Sequence, residues 1–250
     1  MSIDLVAKNC DFSGMNMGFV PAVSAGLKYL NFYGVNKDRT SRNLADDSKV
    51  VVTGSPEYLP ASARFTPYVN FLVTAQKQPA DMTILMCVNL QKVSSAFIGT
   101  YRGTRPSADG VLSNGVRLTS AAGDGGSSQA ALSFNVSQTS GVAGAATENV
   151  GASLLLHPTG WAFVSASVDA TKRVALRSHT ANLLQEVTLT KEKDINTTDF
   201  VIGGMKDTSS FSAPNEIAFC AIYERALSLS EKNEMYESIK KFMAVQGITI

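Results

Sequence analysis

Charge is scarce in this chain of 250 residues: Asp, Glu, Lys and Arg make up 17% of it, with 22 basic residues against 21 acidic ones. A formal charge of +1 gives no bulk field to draw the chain onto nucleic acid or an anionic membrane, so neither is expected as a partner. Cysteine is rarer still. Cys10, Cys87 and Cys220 lie far apart without CxxC pairing, which argues against a zinc site or a disulfide scaffold. Cys87 and Cys220 sit within the apolar runs Thr-Ile-Leu-Met-Cys-Val and Ile-Ala-Phe-Cys-Ala-Ile, where a free thiol packs as a small hydrophobe. Reduced thiols point to assembly in a cytoplasm. No apolar run approaches the roughly 18 residues of a membrane helix, so membrane insertion is not expected. The N-terminal Met-Ser-Ile-Asp-Leu-Val-Ala-Lys lacks the basic region, long apolar core and small-residue cleavage site of a signal peptide, so synthesis and folding in the cytosol are expected.

What is present is β-prone. Hydrophobic residues make up 44%, mostly in short runs punctuated by Gly, Pro, Asn, Asp and Ser, the pattern of an antiparallel all-β domain. Strands are predicted at 27–33, 49–53, 63–65, 82–90, 96–100, 115–119, 130–136, 160–168, 173–178 and 200–203. The aromatic and β-branched run from Trp161 to Val168 ends in Asp169-Ala170-Thr171-Lys172 before Arg173-Val174-Ala175-Leu176 resumes, a hairpin signal. Glu216 to Tyr223 is almost wholly apolar, as expected of a mid-sheet strand covered on both faces.

One helix is predicted. Ser228 stands three before Glu231 in a capping box, Met235, Ile239, Phe242 and Met243 follow at helical spacing, and Gly247 ends the run. Lys232, Glu234, Lys240 and Lys241 fall mostly on other faces. The closing Ile248-Thr249-Ile250 is β-prone and expected to fold back onto a sheet. Residues 107–146, rich in Gly, Ser and Ala, read as surface loops with short strands. Residues 1–26 read as an arm whose Met15, Met17 and Phe19 are broken apart by Gly14, Gly18 and Pro21. That arm packs either on its own sandwich or on a neighbouring chain. The remainder, 27–250, is expected to be one domain.

In order along the C-terminal half, Gly160-Trp161, Val168-Asp169, Val174-Ala175-Leu176, Ile202-Gly203-Gly204 and Glu216-Ile217-Ala218-Phe219 carry a resemblance. Its most specific feature is Tyr-x-Arg-Ala-Leu-Ser-x-x-Glu, from Tyr223 to Glu231. These residues resemble the concanavalin A-like, laminin-G-like superfamily. More loosely, Asp11-Phe12-Ser13, Asn43-Leu44-Ala45, Gly54-Ser55-Pro56 and the passages from Phe71 and Met82 look like sandwich domains of bacteriophage tail-fibre and related appendage proteins. The resemblance implies a two-sheet antiparallel jelly-roll sandwich with one C-terminal helix. It also implies a place in the virion, other virion proteins as partners, homo-oligomers with a trimer favoured, and a role in attachment or in building the particle.

Chemistry is thinly marked. A glycosidase needs two carboxylates about 5–10 Å apart, and sandwich glucanases carry them as Glu-x-Asp-x-Glu or Glu-x-Asp-x-x-Glu, spacings absent here. Glu192 and Asp194 read as a solvated charged turn, while Glu148, Glu186 and Asp207 stand as a possible acid and base drawn from distant loops. His157 and His179 are the two histidines, and both read as polar turn residues. Ala122 to Gln129 matches a sialidase Asp-box in part and reads as a loop. No cofactor is called for by these patterns; Ca²⁺ is the one candidate, with Asp109, Asn114 and Asp124 as oxygen donors that serve equally as turn formers. For a sugar, an exposed aromatic among polar groups is wanted. Tyr101, Arg102 and Arg105 supply that pattern on a loop and are the candidate ligand-binding residues, while Trp161, at the start of an apolar strand, reads as core.

The leading expectation is a non-enzymatic virion protein that binds a host-surface glycan or serves as an appendage. A purely structural or decoration protein is the alternative, and a polysaccharide-cleaving enzyme a third.

Overall fold

The structure, a computed structural model, describes residues 19–100, 103–104, 112–122, 129–140, 147–205 and 211–250. In chain order its first elements are β1 (Leu27–Phe32), α1 (Lys37–Thr40), β2 (Val51–Thr53), β3 (Glu57–Tyr58), β4 (Ala63–Phe65), β5 (Phe71–Lys77), β6 (Met82–Leu90), β7 (Ser95–Gly99), β8 (Gly103–Thr104) and β9 (Leu112–Ser113). Then come β10 (Val116–Ala122), β11 (Gln129–Gln138), β12 (Glu148–Pro158), β13 (Gly160–Val168), β14 (Arg173–Ser178), β15 (Leu183–Thr188), β16 (Asp199–Ile202), β17 (Asn215–Tyr223) and α2 (Leu229–Val245). One sheet runs β15-β14-β13-β6-β17-β4-β3 with β1 also on β17; the other runs β12-β11-β10-β7-β16-β5-β2, and β8 pairs β9 apart from both.

The two sheets form an antiparallel sandwich with α2 as a third layer, because the first sheet is apolar on both faces. Along β6, Ile84, Met86 and Val88 join the core between the sheets, while Leu85 and Cys87 join the layer beneath the helix. In β17, Ile217, Cys220 and Ile222 face inward and Phe219, Ala221 and Tyr223 outward, the alternation passing a bulge between Ile217 and Phe219. Met235, Ile239 and Met243 of α2 seal that outer layer. A two-sided strand reads as a continuous apolar run, which is the sequence signature of β17.

The structure corrects several predictions. β12 and β15 form regular strands, although Leu155, Leu156 and Leu184 stand exposed on them and blur the inside–outside alternation. The short α1, which was not predicted, is capped by Asn36, whose side chain accepts from Arg39 N. Ile248 and Ile250 pack into the helix-side layer without joining a strand. Trp161 is half-buried at the margin of that layer, short of the core position expected. Of the arm, residues 1–18 lie outside the described part; Phe19 meets Phe32 and Phe242 edge to face, so the described end rests on its own chain.

The hairpin at Asp169 forms as read. Asp169 Oδ1 accepts from Thr171 N at 2.9 Å and Arg173 N at 3.1 Å, and Lys172 takes the left-handed φ of 64° that a tight turn needs. The Tyr-x-Arg-Ala-Leu-Ser-x-x-Glu run builds the entry to α2. Arg225 Nη1 and Nη2 donate to Glu231 at 3.1 and 2.6 Å, Glu231 accepts from Ser228 N at 2.8 Å, and Tyr223 Oη donates to Val23 O at 2.8 Å.

Candidate functional site

Alternation along the edge of the helix-side sheet makes a recess. In β13, Val164, Ala166 and Val168 belong to the core between the sheets, so Ser165 and Ser167 face outward. In β14, Val174 and Leu176 are core and Arg173 and Arg177 face outward; in β15, Leu184 and Glu186 do the same. The helix covers β6 and β17, leans on Phe163 of β13 and on His179 through Tyr236, and meets the outward serines and arginines of this edge through its first turn. Residues 226–229 and Lys232 therefore wall off a cleft of about 190 Å³ with those side chains on its floor.

Charge in the recess is unevenly matched. Asp169 Oδ2 accepts from Arg173 Nε at 3.3 Å, and Glu186 Oε1 lies 3.6 Å from Arg173 Nη1. Both carboxylates are thus drawn to one guanidinium. Arg177 donates through Nη2 to Asn182 Oδ1 at 3.2 Å, but its buried Nε has no acceptor among the described residues. Lys232 donates from Nζ to the neutral Ser167 Oγ at 2.9 Å and makes no ion pair among the described residues. Burial, with Arg173 and Arg177 adding to it against Glu186 and Asp169, lowers the Lys232 pKa to about 8.

Beside the cleft, His179 Nε2 lies 3.0 Å from Ser165 Oγ, its ring is T-shaped on Phe163 and tilted on Tyr236, and Asn233 hydrogen-bonds it. Burial, then Arg177 and Lys232, depress its pKa to about 4. Ser, His and Asn fall in the order of a nucleophile relay, yet Ser165 is 2% exposed at mid-strand, so its hydroxyl is spent on fixing the imidazole rather than meeting a substrate.

Sequence candidates fare unequally. Tyr101, Arg102, Arg105, Asp109, Asp124 and Asp207 lie outside the described residues, as do the middle six positions of the Asp-box-like stretch; its flanks pair as β10 and β11. Glu192 is exposed and paired with Lys172, but Asp194 is 5% exposed and accepts at its carbonyl from Ser113 Oγ, which corrects the solvated-turn reading for that half. His157 is no exposed turn residue: it is 2% exposed, with Nδ1 2.6 Å from Pro158 O and Nε2 2.7 Å from Ser178 Oγ. Glu148 accepts from Lys191 and Gln138, at the start of β12 on the sheet opposite that of Glu186. Among the described residues no three His, Cys, Asp or Glu side chains converge as a metal site, and no helix is long and apolar enough to cross a membrane. Lys232, one of the charged residues placed mostly off the apolar face of the helix, is half-buried.

The sequence matches no family model, and no curated protein matches it. Its fold is similar to solved structures of botulinum neurotoxin binding domains. The serotype D binding domain matches at TM-score 0.61 and 10% identity over 86% of this chain and 52% of that one. The binding domain of neurotoxin DC in complex with SialylT matches at 0.59 and 12% over 86% and 52%. The mosaic C/D receptor-binding domain, with tetraethylene glycol on its Hcn sub-domain, matches at 0.61 and 10% over 86% and 51%. The chain spans about half the length of these structures. At such identity the likeness shows the β-sandwich fold alone.

Proposed function

We propose that the chain is a non-enzymatic receptor-binding module of a phage virion appendage, and that it recognises a host-surface glycan through the recess beneath the first turn of α2. The observation that carries this reading is the recess itself, a small polar cleft in which the half-buried Lys232 Nζ has one neutral acceptor and the buried Arg177 Nε has none among the described residues. Buried donors held in that state favour a ligand rich in oxygen. The shared fold with receptor-binding domains supports a binding role, and the likeness of the sequence to appendage sandwiches supports the virion setting. Catalysis is disfavoured in the recess because both carboxylates there are engaged by Arg173, whereas glycoside hydrolysis needs one carboxyl holding a proton for the leaving oxygen.

Calorimetric titration of the purified chain with host-surface polysaccharide fragments is expected to give saturable binding that is lost in Arg177→Met. Absence of binding to every fragment at millimolar concentration overturns the glycan reading. A second reading, a structural component contacting only virion proteins or copies of itself, draws on β12, an 11-residue edge strand with Leu155 and Leu156 about half exposed, since an open apolar edge is a template for pairing. Sedimentation separates the two: that reading requires an assembly which Leu155→Lys and Leu156→Lys dissolve.

A further inference from the structure

Three cations, Arg173, Arg177 and Lys232, share the recess with two carboxylates, Asp169 and Glu186. Neither carboxylate answers Lys232. Asp169 spends Oδ1 on Thr171 and on Arg173 N within its own turn, and its other oxygen, like Glu186, turns to Arg173. A half-buried ammonium with a single neutral acceptor, next to a guanidinium whose buried Nε donates to nothing described, is an arrangement that folding alone disfavours. An anion entering from solvent meets the Lys232 ammonium directly and the Arg177 guanidinium at its outer edge, since the Nε itself is shielded. A carboxylate suits the geometry, because it accepts from an Arg edge and a Lys head at once.

We infer that the recess holds the carboxylate of an acidic sugar, a uronic or nonulosonic acid residue, between Lys232 and Arg177, with the Ser167 hydroxyl released from Lys232 to meet the sugar oxygens. This rests on the glycan-binding reading above and adds the ligand class to it. The cleft, about 190 Å³, is smaller than the roughly 300–1,000 Å³ of drug-sized sites. It fits one sugar residue rather than an extended peptide.

The test is titration calorimetry of the full chain at pH 7 with matched pairs: trigalacturonate against its methyl ester, and sialyllactose against lactose. The acid of at least one pair is expected to bind tenfold or more tighter than its neutral partner, and Lys232→Met is expected to erase that preference. Affinity for the acid should also fall about tenfold between pH 7 and 9 as Lys232 gives up its proton; the charged groups around it are Arg173, Arg177 and Glu186 on the sheet, Asp169 in the turn after β13 and Glu231 on its own helix, while His179 after β14 is neutral over that range. Arg177→Gln serves as the second variant, with the thermal midpoint of each confirming that it folds. Equal affinity for acid and neutral partner, or no binding to any of the four, overturns this inference, while the glycan reading itself stands or falls on the titration with host-surface polysaccharide fragments. A glutamate-rich peptide that binds as tightly as the acid sugar overturns the assignment to sugar.

Discussion

His179 and Lys232 are both pushed toward their neutral forms by the same surroundings, and this has measurable effects on stability. With a folded pKa near 4 against about 6.5 when unfolded, His179 takes up a proton more readily in the unfolded chain. Its contribution is therefore present above pH 6.5 and lost as pH falls toward 4. Lys232 behaves in parallel at the alkaline end: with a folded pKa of about 8 against an ordinary 10.5, its charge burdens the fold below pH 8, and the burden lifts as pH rises toward 10.5. Two outcomes follow. Denaturant titrations between pH 7 and 4 should show stability falling in the wild type, with a shallower fall in His179→Gln; identical slopes would remove His179 from the account. At pH 7, Lys232→Met should raise the thermal midpoint by about 2–4 °C for each kcal/mol of relieved burial, a gain in stability accompanying the loss of acid-sugar preference.

At the scale of elements, the junction between β17 and α2 shows what a recognisable motif does. Tyr223, Arg225, Ser228 and Glu231 tie the end of a strand to the start of a helix, and Thr83 Oγ1, accepting from Leu227 N at 2.8 Å and donating to Arg225 O at 3.1 Å, bolts the crossing to β6. Arg225, through its hydrogen bonds, and then the Ser228 backbone hold the Glu231 pKa down near 2, so that carboxylate stays ionised in its cap. Ser228→Ala removes the hydroxyl acceptor for Glu231 N and is expected to cost about 1 kcal/mol, or about 2–4 °C in midpoint for a chain of this size. An unchanged midpoint would show that the Arg225 fork alone holds the helix start. This junction was legible because its information is local: a cap, a box and a helical period within a dozen residues. The same holds for the β13–β14 turn at Asp169. β12 and β15 were not legible, because edge strands such as these expose Leu155, Leu156 and Leu184 where alternation calls for polar residues.

For the whole molecule, the two-sheet sandwich could be read from strand spacing, but the recess could not, since it exists only where β13, β14 and β15 outlast the cover of a helix some 50 residues later in sequence. Nothing next to Lys232 in the chain marks it as half-buried. What marks it is the sheet edge passing beneath, and no local pattern encodes that. The same geometry makes α2 part of the core. Phe32, Phe163, Phe219 and Tyr223 present an apolar outer face on the first sheet, and sheets with two apolar faces need a layer on each. Met235, Ile239 and Met243 supply it while fully buried. Ile239→Ala should therefore behave as a core truncation, costing about 2–5 kcal/mol in a urea titration, and not as a change on a peripheral helix. Removal of residues 228–250 should leave a chain that binds a hydrophobic dye and lacks a cooperative thermal transition. A truncated chain that melted as sharply as the full one would mean that the sandwich stands without its third layer, and the recess that layer walls would then be an addition to a finished fold.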